Sequence, residues 1–126
     1  MTLDDTEFWH SLAGTANASE AFAKKAAGIS PLTIRLAVGE RDVTLKVASG
    51  RVAIVFVDDL RGYDVRIGGP RDEWQRMLGG VISYPQAVNH AQGRLRVAGD
   101  MVAGAWATAF IAEFFKPAAS LLKGTA

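Results

Sequence analysis

The 126-residue chain contains no cysteine. Disulfide scaffolds, zinc–thiolate sites, iron–sulfur clusters and cysteine nucleophiles are thereby excluded, and the absence fits a reducing compartment. Histidine is almost as scarce. His10 and His90 are the only two, so a three-histidine metal site is impossible, and neither sits in a metal-ligand motif. None of the serines at 11, 19, 30, 49, 83 and 120 lies in a G-x-S-x-G elbow, and no phosphate loop or G-x-G-x-x-G run is present. The sequence calls for no cofactor. An excess of one charge is missing too: 14 basic and 13 acidic residues leave a formal net charge of +1, without the strong positive field of a nucleic-acid binder. The N-terminal Met1-Thr-Leu-Asp-Asp has neither the basic nor the apolar region of a signal peptide. Gly124-Thr125-Ala126 is no peroxisomal address. The expectation is therefore a cytoplasmic protein, with Asn17-Ala-Ser19 a chance match to the glycosylation sequon. The longest weakly polar run, Met101 to Ala112, is too short to span a bilayer. Stable insertion is not expected; transient contact with a membrane surface is compatible with it.

What is present is a single-domain length, 1–126, sufficient for one hydrophobic core; a domain near this size buries roughly two-thirds of the surface its unfolded chain exposes. Asp4 to about Ala27 is rich in helix formers, with Phe8, Leu12, Ala16, Ala23 and Ala27 at helical spacing; Gly14 interrupts, predicting one bent helix or two short ones. The period then becomes two. Ile34, Leu36 and Val38 alternate with Thr33, Arg35 and Ala37, and Val43, Leu45 and Val47 with Thr44 and Lys46, as in strands wet on one side. Arg51 to Val57 is apolar on both faces, which predicts the central strand or the one most covered by helices. Val65 and Ile67 mark a fourth strand. Pro70, Asp72 and Glu73 open a helix whose apolar face is Trp74, Met77, Leu78 and Val81. Tyr84-Pro85 starts another through Ala91, Arg94 to Ala98 is a fifth strand, and Asp100 caps a helix from Met101 to about Phe115. Pro117 stops it, leaving Leu121 and Leu122 in a short tail. Strands grouped before helices indicate α+β, and a fifth strand arriving after a helical crossover indicates a mixed sheet.

Groups able to do chemistry are few. Asp58, Asp59 and Asp64 stand at strand ends, where carboxylates do acid–base work in a closed pocket or, more commonly, form turns. Arg35, Arg41, Arg94 and Arg96 read as a solvated sheet face with a phosphate or anionic-lipid contact as its functional alternative.

The most informative stretch is Met101 to Phe115, where Thr108 and Glu113 are the only hydrophilic positions. A helix apolar all round must be covered on all sides. A ligand, a partner subunit or the folded-back tail would each do it. Ala103, Gly104, Ala105, Ala107, Ala109 and Ala112 are small, while Trp106, Phe110, Phe114 and Phe115 are large. That mixture suits a cavity and suits close helix–helix packing equally.

Gly93-Arg-Leu-Arg-Val-Ala-Gly-Asp-Met101 resembles the strand-then-helix signature of sterol carrier protein 2-like domains. Tyr63-Asp-Val-Arg-Ile67, Trp74, Met77-Leu78 and Gly80 resemble the family's preceding strand, helix and terminating glycine, and the remaining elements agree in order. The resemblance implies a five-stranded mixed sheet with helices covering one face and enclosing a hydrophobic tunnel. It also implies a non-catalytic carrier of a sterol, fatty acyl chain, acyl-coenzyme A or isoprenoid quinone; a terpenoid would suit such a tunnel as well. Carried over, the tunnel would be lined by Ile54, Phe56, Val65, Ile67, Trp74, Met77, Leu78, Val81, Met101, Ala105, Trp106, Ala109 and Phe110, with Gly93, Gly99 and Asp100 structural. The alternatives are a homodimer through the C-terminal helix or tail, or a small isomerase or hydratase using Asp58, Asp59 or Asp64.

Overall fold

The computed structural model describes residues 1–29, 31–56 and 62–123. Two helices, α1 (Thr6–Asn17) and α2 (Glu20–Ala26), precede strands β1 (Leu32–Val38), β2 (Arg41–Ala48), β3 (Arg51–Val55) and β4 (Val65–Gly69). Helices α3 (Arg71–Leu78) and α4 (Tyr84–Val88) follow, then β5 (Arg96–Gly99), α5 (Met101–Phe115) and α6 (Ala118–Lys123). The five strands form one mixed sheet in the order β3-β2-β1-β4-β5, with β1 and β4 parallel and the other pairs antiparallel.

Register explains the core. Ile34 stands beside Leu45 and Val65, and Leu36 beside Val43 and Ile67, so one face of the sheet is a continuous aliphatic surface. Against it pack Phe8, Trp9, Leu12, Phe22, Phe110 and Phe114, each no more than 1% exposed. Edge-on ring contacts join Phe8 to Trp9 at 5.0 Å and Phe22 to Phe110 at 5.7 Å, the geometry that aromatic quadrupoles favour. Helix α1 lies against β3, and α5 against β4 and β5. The indole N–H of Trp74 donates to the Ala37 carbonyl at 2.8 Å and so pins α3 to the end of the central strand.

Several expectations change. The first helical stretch does divide in two, but Gly14 lies inside α1; the break falls at Ala18 and Ser19, where the Ser19 hydroxyl caps α2 by accepting from the Phe22 N–H at 3.2 Å. The strand expected at 51–57 is described as β3, Arg51–Val55, with Val57 outside the described residues; it is an edge strand rather than the central one, which is β1, and it is covered by α1. Apolarity on both faces misled here because Val52 and Ile54 serve α1, whereas β1 is buried on both faces despite carrying Thr33 and Arg35. Arg35 is 4% exposed, with its guanidinium over the Tyr63 ring at 5.7 Å. The four arginines form no single cluster. Arg94 turns to α3 and pairs with Asp72 at 2.6 Å, and Arg41 reaches the Asp4 carbonyl and lies 5.1 Å from the Phe56 ring.

Candidate functional site

Among the described residues, open and largely apolar space lies between α4 and α5, beside the edge strand β5. Helix α5 has a buried stripe of Ala103, Ala107, Phe110, Ile111 and Phe114 turned to the sheet. A second stripe, one helical step round, is Met101, Gly104, Ala105, Thr108 and Ala112. Apart from Met101 its residues are small, and the short α4 does not fill the space beside it, so two hollows remain. The upper one, of about 270 Å³, is lined by Gly104, Ala105 and Thr108 with Met101, Val88 and Val97. The lower one, of about 220 Å³, is lined by Ala112, Phe115 and Met77 with Ile82 and Pro85. Tyr84 lines both and stands between them.

Local chemistry fixes these walls. The Ser83 hydroxyl accepts from the Gln86 N–H at 3.3 Å and the Gln86 side chain accepts from the Ser83 N–H at 2.9 Å, a capping box that holds the short α4. Asp100 accepts from the Ala103 N–H at 2.9 Å at the start of α5. Gly99 has φ of +114°, and a Cβ there would stand 2.3 Å from the Asp64 carbonyl oxygen, so the chain turns from β5 into α5 only with glycine. A Cβ on Gly93 would lie 2.0 Å from the Ala87 carbonyl oxygen. Gly104 is different: the nearest neighbour of a Cβ there would be Val97 Cγ1 at 4.0 Å, an ordinary van der Waals contact without a clash. Tyr84 is 5% exposed, rests on Phe115 at 5.7 Å, and has its phenol pushed up to about 12 by burial.

The residues carried over from the resemblance fall in different places. Met101, Ala105, Met77 and Leu78 line the two hollows. Val65, Ile67, Trp74 and Phe110 are at most 1% exposed in the core. Ile54 and Phe56 belong to the β3 side of the sheet, across from the hollows, where Phe56 meets His10 at 5.5 Å. Val81 and Trp106 are 70% and 43% exposed; Ala109 lies in α5, its side chain outside those described. Gly93, Gly99 and Asp100 have the structural contacts given above, and Gly99 and Asp100 also border the upper hollow. Of the carboxylates, Asp58 and Asp59 lie outside the described residues, and Asp64 is exposed and accepts from the Thr33 N–H at 2.8 Å. Tyr84, Val88, Val97, Gly104 and Ala112 are among the lining residues that sequence reading did not assign to the site. The spacing 101, 104, 105, 108, 112 was the available signal for the α5 side, since it marks one face of a helix. No group of three potential metal ligands and no helix able to cross a membrane occurs among the described residues.

The α+β architecture with this strand order has a known counterpart: the chain has the sterol carrier protein 2 fold. A crystal structure of sterol carrier protein 2 superposes with a TM-score of 0.73 at 20% identity, over 94% of this chain and 98% of that one. The solution structure of a conserved hypothetical protein from Thermus thermophilus gives 0.67 at 20% identity, over 95% and 90%. The stereoselective inverting sec-alkylsulfatase Pisa1 from Pseudomonas sp. gives 0.59 at 20% identity, over 92% of this chain but 16% of the enzyme. No protein-family model and no curated protein matches the sequence.

Proposed function

We propose that the protein is a non-catalytic carrier that holds a long-chain hydrophobic molecule in the α4–α5 groove. The observation that carries this reading is the pair of largely apolar hollows on either side of Tyr84, lined on the α5 side by Met101, Gly104, Ala105, Thr108 and Ala112. From Met101 to Ala112 the stripe runs about 17 Å at the helical rise of ~1.5 Å per residue. An extended chain advances about 1.2 Å per bond, so the groove matches roughly 15 carbons laid straight. Each methylene taken from water contributes about 0.8 kcal/mol, on the order of 10 kcal/mol for such a chain before the costs of immobilisation. A fatty acyl chain, an acyl-coenzyme A, or a terpenoid or quinone tail fits this shape more readily than the rigid fused rings of a sterol. The fold supports the reading, since sterol carrier protein 2 itself has it. Titration with palmitoyl-coenzyme A, followed by calorimetry, tests it: saturable binding at one site per chain is expected, and no heat or fluorescence change with any of the lipid classes overturns it.

A second reading has its own observation. The outer side of α5 leaves Val102 and Trp106 exposed at 59% and 43%, next to Met101 at the mouth of the upper hollow, which is 90% exposed. Such a patch suits a second copy of the chain. An empty dimer by native mass measurement favours this reading; a monomer with bound lipid favours the carrier.

A further inference from the structure

We propose that Tyr84 donates a hydrogen bond to a neutral carbonyl set part-way along the cargo, so that the cargo is a long-chain ester, thioester or ketone with apolar carbon on both sides of the acceptor. The inference rests on the carrier reading and specifies its ligand class. Tyr84 opens α4, where the capping box of Ser83 and Gln86 fixes the backbone and Phe115 supports the ring. What little surface it retains borders the two hollows. Its hydroxyl makes no hydrogen bond to another described residue and is not among the buried polar atoms left without a partner, so it keeps contact with open space, where an acceptor on the cargo replaces water.

The other polar groups of the groove are already engaged. The Thr108 hydroxyl donates to the Gly104 carbonyl at 2.9 Å, Ser83 is held in its capping box, and the Asp100 carboxylate caps α5. The donor that stands between the two apolar compartments is therefore Tyr84. The cation bordering the groove, Lys116, is at the lower end, largely exposed and 3.7 Å from Glu113. A carboxylate brought to Tyr84 would be desolvated without a counter-charge, which is far costlier than bringing a neutral carbonyl. The burial that raises the phenol's pKa keeps it a proton donor throughout the physiological range.

The test compares 9-heptadecanone, heptadecane and stearate as competitors of a fluorescent fatty-acid probe on the full chain and on Tyr84→Phe, with thermal unfolding to verify that the variant folds. The ketone should bind wild type about five- to tenfold more tightly than the alkane, the increment of one neutral hydrogen bond. Tyr84→Phe should erase that difference and leave the alkane unchanged. Independently of the variant, the infrared carbonyl stretch of ketone bound to wild type should lie below its value in heptane. Equal affinity for ketone and alkane, a preference that survives Tyr84→Phe, or an unshifted carbonyl overturns the assignment while leaving the carrier reading intact. Stearate binding above the ketone overturns the neutral-acceptor claim. Binding of none of the three by wild type overturns the carrier reading itself, and this inference with it.

Discussion

The carboxylate of Glu73, fully buried on α3, accepts a hydrogen bond from the backbone N–H of Arg94 at 2.6 Å. Its other oxygen accepts from the Arg76 guanidinium at 2.8 Å. One side chain thus ties α3 to the segment that feeds β5, and with it the floor of the upper hollow. Glu73→Ala would leave the Arg94 N–H without this partner and lose a charge-assisted bond, so about 2–3 kcal/mol of stability should go. The urea midpoint measures it, and an unchanged midpoint would show that the tie is incidental.

Glycines around the groove should respond in opposite directions. Gly99→Ala forces a Cβ into the Asp64 carbonyl at a positive φ, and about 2–4 kcal/mol of destabilisation is expected. Gly104→Ala adds a methyl at ordinary van der Waals distance from Val97 within a helix and should stabilise by about 0.5–1 kcal/mol. Thermal unfolding of the two variants checks both signs.

Filling the upper hollow separates binding from folding. Gly104→Leu retains the helix and projects its side chain toward Val97, into the space assigned to cargo. Stability should hold at or above wild type while affinity for palmitoyl-coenzyme A falls at least tenfold. Undiminished affinity would move the ligand elsewhere.

Tyr84 also predicts a pH dependence. Its folded pKa, about 12, exceeds the ordinary value of 10.0 because burial penalises the phenolate. Between these values the unfolded chain has lost the proton and the folded one has kept it, so stability declines as pH rises from 10 toward 12. Below pH 10 the contribution is fully present. The loss amounts to roughly 2–3 kcal/mol, and Tyr84→Phe should flatten that part of the stability curve measured by denaturant titration.

Periodicity made the architecture legible. Alternation in Ile34-Leu36-Val38 and Val43-Leu45-Val47 marked one aliphatic sheet face, and Gly99-Asp100 marked the start of α5. Strand order was harder, because an edge strand under a helix and a central strand can share one composition; β3 is the case in point. Arg35 shows the converse, since its charge predicted solvent and its place on the middle strand buried it. On α5 the small-residue stripe was present at positions 101 to 112, but choosing between a cavity and close packing required knowing where α4 stands. Tyr84 gave no signal at all: its role follows from being capped into position between two hollows.

Native mass spectrometry of the full chain, purified gently from its own host and compared with Gly104→Leu, addresses the central claim most directly. The account predicts a monomer carrying one extra mass of lipid size, with a carbonyl in the extracted molecule, and loss of that mass in the variant. Chains that arrive bare from the host and stay bare after incubation with acyl, terpenoid and quinone lipids would contradict it.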